Sequence, residues 1–167
     1  MDDRTDIANL VGALAVHVDA RHWDHLEALF AEEVRVDYTS LFGGDAQSLP
    51  RTQLIGQWRQ FLPGFTHTTH LIGTPCVTVD RDDAQVVASV VGHHLIEDAL
   101  LAGRDRWTVG GCYEMRLQRR DGVWRIASLT LARAWAEGNR DLPRIAGERV
   151  AERTGDPSGA ASGAVDA

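Results

Sequence analysis

The sequence predicts an α+β fold, with helices from the first part of the chain packed on one face of a curved antiparallel sheet. Two patterns carry this prediction. Apolar residues recur at spacings of three and four up to residue 62, which is typical of helices, whereas runs rich in β-branched residues dominate from residue 66 onward. With 167 residues, the chain suits one domain built around a single core.

The first part of the chain contains three predicted helices and one strand. Residues 5–20 place their apolar side chains on one helical face, and residues 23–30 do the same over a shorter span. Residues 34–38 alternate apolar and polar side chains, as a half-buried strand does. After a glycine-rich break at residues 43–45, residues 54–64 form a third helix that ends at a Pro-Gly pair.

The rest of the domain is predicted to be a strand meander. Its β-branched and aromatic runs span residues 66–79, 85–96, 107–119 and 123–134. Asp121-Gly122 separates the last two runs and is a strong signal for a tight hairpin turn. These strands, following the helices, complete the α+β pattern.

The end of the chain has a different composition. From Glu148 onward the residues are mainly Gly, Ala, Ser and Asp, and Val150 and Val165 are the large apolar ones. Such a segment buries too little apolar surface to offset the entropy lost on ordering. The sequence therefore predicts one domain over residues 1–147 and a flexible C-terminal tail over residues 148–167.

Composition and charge exclude several function classes. The formal net charge is −7 and no basic stripe is present, which argues against a nucleic-acid partner. No apolar run approaches the ~20 residues that span a bilayer, so no membrane partner is expected. The acidic start, residues 1–4, lacks an apolar signal segment, and Cys76 and Cys112 show no metal-type spacing. We expect a cytoplasmic protein.

A few polar residues occur at positions where the apolar periodicity predicts buried residues. Asp19 follows the apolar stripe of the first helix, where a carboxylate can be either a surface residue or a functional group. His70 shares one strand face with Thr68 and Ile72. His93 and His94 are adjacent in a strand, so that only one of the two can face the interior. None of these histidines has a zinc-ligand spacing, and no metal site is predicted.

Five segments, taken in order, resemble a known family. They are residues 18–26 (VDARHWDHL), 34–40 (VRVDYTS), 69–73 (THLIG), 121–126 (DGVWRI) and 133–135 (RAW). In this order and spacing they resemble scytalone dehydratase and its SnoaL-like relatives in the nuclear transport factor 2-like superfamily. The resemblance extends from about residue 5 to residue 145. It implies a cone-shaped α+β barrel, in which N-terminal helices pack on the curved sheet around a pocket.

The resemblance also implies roles for individual residues. Asp19 matches the aspartate of a catalytic dyad, and His70 matches the histidine that transfers protons. Tyr38 matches the tyrosine that, with a water, polarises the substrate carbonyl. The second pocket histidine of the family falls at His93 or His94.

Other positions depart from the family pattern. Val18 stands where scytalone dehydratase has a second tyrosine, and its pocket serine and asparagine correspond to Gly111 and Tyr113. Leu129 stands where the dehydrochlorinase branch has an arginine. These departures argue against scytalone itself as substrate and against dehydrochlorination.

The resemblance therefore predicts a cofactor-independent dehydratase-like lyase that acts by acid–base catalysis on a cyclic or polyketide-derived carbonyl compound. A polyketide cyclase or double-bond isomerase is the alternative enzyme, and a non-catalytic small-molecule-binding domain is the alternative of another class. The expected partner is a small-molecule substrate. Relatives pair through the outer sheet face, which here carries Arg116, Gln118 and Arg125, so a homodimer or homotrimer is expected from the resemblance.

Overall fold

The computed structural model describes residues 2–155. The helices are α1 (Asp3–Ala20), α2 (Trp23–Leu29), α3 (Thr39–Phe42), α4 (Arg51–Arg59) and α5 (Leu142–Thr154). The strands are β1 (Phe30–Asp37), β2 (Gln47–Pro50), β3 (His67–Ile72), β4 (Cys76–Asp80), β5 (Asp83–Leu95), β6 (Arg106–Arg120) and β7 (Val123–Gly138). Short 3₁₀ turns occur at Leu62–Gly64 and Ala99–Leu101.

The strands form one curved, unclosed sheet in the order β2-β1-β7-β6-β5-β3, with β4 also paired to β5. All pairs are antiparallel except β1 with β7, which is parallel. The β6–β7 ladder shifts register at Gly110/Gly111 and again at Arg116/Leu117. Such irregularities bend long strands. The predicted α+β fold class is confirmed.

The core lies between the helices and the concave face of the sheet. Alternate residues of β5 are buried, as the period of a half-buried strand requires. The buried face of α1 supplies Ile7, Val11, Leu14 and Val18, at helical spacings. None of the helices in the described range has the length and apolar character that a membrane crossing requires.

Both ends of α1 are fixed, which matters because Asp19 lies in its last turn. At the start, the Asp2 side chain accepts from the backbone N–H of Thr5 at 3.1 Å and so caps the helix. At the end, Arg21 adopts the left-handed conformation with φ of 56°, and its guanidinium donates to the carbonyls of Leu62 and Phe65. The end of α1 is thereby attached to the segment that leads into β3.

The structure differs from the sequence-based prediction in several elements. The run at residues 66–79 forms two strands, β3 and β4, and neither β2 nor the parallel β1–β7 pair was predicted. The boundary predicted between residues 147 and 148 falls inside α5, which continues to Thr154. Apolar residues at every fourth position, Leu142, Ala146 and Val150, are buried there and stabilise the helix. Residues 156–167 of the predicted tail lie outside the described residues.

Candidate active site

A cavity of about 550 Å³ opens between the helices and the concave face of the sheet. This volume lies in the range of small-molecule sites. Aromatic side chains form much of its wall, among them Phe42, Trp58, Phe61 and Trp107. Polar side chains also line it: His70, His94, Tyr38, Tyr113, Thr39, Asp45, Gln47, Gln57, Gln60 and Arg144.

Asp19 and His70 are in direct contact beside this cavity. The backbone N–H of His70 donates to Oδ2 of Asp19 at 2.7 Å, and Nδ1 of His70 lies 2.7 Å from Oδ1. An ionised carboxylate can only accept, so Nδ1 carries the proton of this bond. Nε2 of the neutral imidazole is then the nitrogen with a free lone pair.

The position of His70 at the margin of the sheet explains why Asp19 can reach its backbone. β3 is the terminal strand of the sheet and pairs along one side with β5. Its other side faces α1, and the Asp19 carboxylate satisfies a backbone N–H there that the ladder leaves unpaired. One side chain thus pairs with an edge-strand N–H and orients the imidazole.

The Asp19 carboxyl is ionised at neutral pH. Its burial raises the pKa, but the two hydrogen bonds from His70 and the charge of that imidazole act more strongly in the other direction. The net result is a pKa below the ordinary value of 3.8. The Asp19 and His70 side chains are 23% and 13% exposed, so their hydrogen bond is largely shielded from solvent.

His94 faces the cavity, whereas His93 faces away from it. His94 is 7% exposed, and its ring meets that of His70 nearly perpendicularly with centroids 5.3 Å apart. Its Nδ1 lies 3.3 Å from the carbonyl of Trp107. His93 is exposed and contacts Thr108 at 3.2 Å on the opposite side of the sheet. The structure therefore separates His93 from the other predicted site residues.

His94 is neutral at working pH. Burial and the nearby His70 charge lower its pKa from 6.5 to about 3, although the hydrogen bond to the Trp107 carbonyl opposes the shift. A carbonyl only accepts, so Nδ1 of His94 carries the proton of that bond. The second cavity histidine is thus a neutral ring and not a cationic donor.

Two phenol groups face the same cavity. Tyr38 follows the end of β1, and Tyr113 lies on the concave face of β6 with 9% exposure. Burial raises the pKa of Tyr38 well above 10 and that of Tyr113 to about 12, and each phenol affects the ionisation of the other. Both hydroxyls remain protonated and can donate a hydrogen bond.

The sequence placed Asp19, His70, Tyr38 and one of the two adjacent histidines in the site, and the structure brings Asp19, His70, Tyr38 and His94 together. Tyr113 was noted only as a departure from the family pattern. Its inward direction could have been inferred, because it shares the alternation of Val109, Met115 and Leu117.

Among the described residues, no group of three or more His, Cys, Asp or Glu side chains is arranged to hold a metal ion.

Comparisons with known proteins show which proteins this chain is similar to. A dehydratase of Pestalotiopsis microspora is 28% identical over 138 residues, which cover 74% of this chain and 81% of that protein. The crystal structure of the Kfla4162 protein of Kribbella flavida has a TM-score of 0.77 at 28% identity and covers 86% of this chain and 96% of that one. A candidate scytalone dehydratase of Novosphingobium aromaticivorans has a TM-score of 0.66 at 21% identity, covering 80% and 85%. It supports the fold.

A family-level match extends over most of the chain. The SnoaL-like domain matches residues 1–130, which include α1, the Asp19–His70 contact and most of the sheet. The chain belongs to the family of SnoaL-like domains, within the nuclear transport factor 2-like superfamily.

Proposed function

We propose that this protein is a cofactor-independent, dehydratase-like lyase that acts on a cyclic or polyketide-derived carbonyl compound. One observation carries the proposal: an imidazole held by a carboxylate through 2.7 Å contacts lies at the wall of an apolar cavity. A neutral imidazole in such a setting is suited to proton transfer near neutral pH. Members of this fold have many activities, so the site and not the fold supports the reaction.

The first step is removal of a proton from the carbon next to the substrate carbonyl. Asp19 holds the Nδ1–H tautomer of His70, which leaves the Nε2 lone pair free to accept that proton. Asp19 then stabilises the imidazolium that forms. Positioned acid–base catalysis of this kind contributes ~10²–10⁴-fold to a rate.

The second requirement is a donor for the enolate oxygen. Tyr38 supplies it, directly or through a water, and Tyr113 lies within interaction range of Tyr38 in the same cavity. Since burial keeps both phenols protonated, each can donate to a developing negative charge. A well-placed donor of this type stabilises a transition state by ~3–4 kcal/mol.

The third step is loss of the β-hydroxyl group. The imidazolium of His70 returns its proton to the leaving oxygen, the C–O bond breaks and a conjugated C=C bond forms. Carbon loses one hydrogen and one hydroxyl, so the products are an enone and one water. His94 cannot donate as a cation in this step, because its pKa is about 3.

The chemistry can be tested with 3-hydroxy-1-tetralone, a bicyclic β-hydroxy ketone whose dehydration gives fluorescent 1-naphthol. We expect the wild-type protein to accelerate naphthol formation, with a product lighter than the substrate by one water. Asp80→Asn, at an exposed carboxylate outside the cavity, is the matched control for Asp19→Asn. If no member of a panel of cyclic β-hydroxy ketones is dehydrated, the lyase proposal is wrong.

Two alternatives are outcomes of the same experiment. Conversion with unchanged mass indicates an isomerase or cyclase, in which the proton returns to another carbon. Saturable binding of the ketone without conversion indicates a binding domain. The lack of a polar side chain at Val18 and at Gly111 would favour this outcome.

We also propose that the protein forms a homodimer or homotrimer through the outer face of its sheet. Large apolar side chains are exposed on strands of that sheet, with Leu71, Val87 and Trp135 at 59%, 46% and 45%. Light scattering of the wild-type protein should give a mass of two or three chains. A mass of one chain across the micromolar range would exclude this association.

A further inference from the structure

Gly92 lies directly opposite His70 in the β3–β5 ladder. Its backbone does not require glycine, because it is not among the glycines with positive φ. Glycine is otherwise unfavourable inside a strand, where it often marks the close approach of another group. The reason for glycine lies in the atoms that surround the space a side chain would occupy.

Two imidazoles occupy that space. A Cβ atom at residue 92 would lie 3.2 Å from both Cδ2 and Nε2 of His70, and 3.2 Å from Cε1 of His94. These separations are shorter than ordinary van der Waals contacts between carbon atoms, which are ~3.5–4.0 Å. A Cβ at this position requires one or both rings to shift by a few tenths of an ångström.

The His70 ring is therefore held from two sides. Asp19 fixes Nδ1 at 2.7 Å, and the bare backbone of Gly92 lies beside the Cδ2–Nε2 edge. The nearly perpendicular His94 ring, at 5.3 Å, fits next to it because residue 92 has no side chain. The direction of the reactive nitrogen depends on both contacts.

We propose that Gly92 is a positioning residue of the active site: its missing side chain lets His70 bind Asp19 through Nδ1 while Nε2 is presented to the cavity beside His94. This inference rests on the proposed function for its effect on turnover. Its effect on the imidazole itself is independent of the reaction.

The test is Gly92→Ala, which adds one methyl group at the contact. In protein labelled with ¹⁵N-histidine, the Nδ1–H proton of His70 should give a downfield signal typical of a charge-assisted hydrogen bond, assigned by its loss in His70→Ala. We expect Gly92→Ala to shift this signal upfield or remove it. With 3-hydroxy-1-tetralone, kcat should fall by at least ~10-fold while KM changes by less than ~3-fold, because small misplacements of a reacting group are costly.

Gly73→Ala is the matched control. Gly73 pairs with the same strand through a hydrogen bond to Ser89, and an added Cβ would meet the Ser89 side chain at an ordinary 3.6 Å. Gly73→Ala should leave the position of the His70 signal unchanged and kcat within ~2-fold of the wild-type value. The proposal is overturned if Gly92→Ala retains both the signal and kcat, or if Gly73→Ala loses as much.

A second comparison applies if Gly92→Ala does not fold. Adding His94→Ala removes the His94 ring from the contact with the added methyl group. This double variant is compared with His94→Ala alone. We expect the double variant to fold, because the added methyl group then meets the His70 ring alone, and to shift the His70 signal relative to His94→Ala; an identical signal would overturn the proposal. The signal of His70 needs no substrate, so failure of wild-type turnover would refute the proposed function while leaving the positioning of the imidazole testable.

Discussion

Asp19 accepts two hydrogen bonds from one residue, His70: its Oδ2 from the backbone N–H and its Oδ1 from the imidazole. The carboxylate therefore satisfies one backbone N–H at the edge of the sheet and sets the tautomer of the ring. Under the proposed function, this contact couples fold stability to reactivity, and small changes in either residue should affect both. Substitutions of the groups around this contact should separate the two effects.

Tyr38→Phe should lower kcat for the ketone by ~10²-fold, because it removes one donor to the enolate oxygen. Tyr113→Phe should have a smaller effect if Tyr38 is the principal donor. Both variants keep the aromatic ring, so their free energies of unfolding should lie within ~1 kcal/mol of the wild-type value. Steady-state kinetics with urea unfolding separates the two effects, and an unchanged kcat in Tyr38→Phe would remove this tyrosine from the mechanism.

His93→Ala should retain activity within ~2-fold, since His93 lies on the outer side of the sheet. His94→Ala should lose at least ~10-fold, because its ring borders both His70 and the cavity. The two adjacent variants control for each other. Equal losses in both would contradict the assignment of His94 as the cavity histidine.

The buried His94 should make the protein less stable in mild acid. Its folded pKa of about 3 lies below the ordinary 6.5, so between these values the unfolded chain binds a proton that the folded chain does not. The corresponding stability is fully present above pH 6.5 and decreases as pH falls towards 3, by up to ~1.4 kcal/mol per pH unit. His94→Phe should flatten this dependence.

Urea unfolding between pH 4.5 and 6.5 measures this effect at pH values above the ordinary carboxyl range of ~4, where Asp19 contributes little to the slope. The wild-type and His94→Phe curves should diverge in slope as the pH decreases. Parallel curves would show that His94 is not the group responsible.

Gly64→Ala should destabilise the protein by at least ~1–3 kcal/mol. A Cβ there would lie within van der Waals radii of the backbone carbonyl of Ala146, so α5 would have to move. Because Pro143, Arg144 and Gly147 of α5 line the cavity, ketone turnover should fall as well.

Gly56→Ala is the matched control for that change. Gly56 lies inside α4, and no atom outside its own helix lies within 4 Å of an added Cβ. Alanine in a helix interior is favoured over glycine by ~0.5–1 kcal/mol, so this variant should be slightly stabilised. Thermal unfolding compares the pair, and equal midpoints would contradict the close packing of α5 on Gly64.

Much of this fold could be predicted because its periodicity is local. The apolar stripe of α1 and the alternation of β5 are sequence patterns that the core then uses. The pairing of β1 with β7 could not be predicted, since a parallel contact between Phe30 and Ile126 depends on the assembled sheet. α5 was missed although Leu142, Ala146 and Val150 recur at helical spacing, because the Gly- and Ala-rich composition from Glu148 onward indicated a tail.

The same difference between local patterns and long-range contacts applies to the candidate site. Asp19 and His70 lie 51 residues apart, and no spacing rule connects a helix end to an edge strand. Their contact was expected from the resemblance alone. The choice between His93 and His94 depends on the β5 register against β6, where His94 pairs with Trp107, and a one-residue shift would have reversed it.

The proposed mechanism requires Asp19 and His70 to act as one proton-transfer unit. Its most direct test is kcat/KM for 3-hydroxy-1-tetralone in Asp19→Asn, His70→Ala and the double variant, with folding verified by circular dichroism. We predict that each single change lowers kcat/KM by ~10²–10⁴-fold and that the double change costs no more than the worse of the two. A loss below ~10-fold in either single variant, or losses that multiply in the double variant, would contradict the claim.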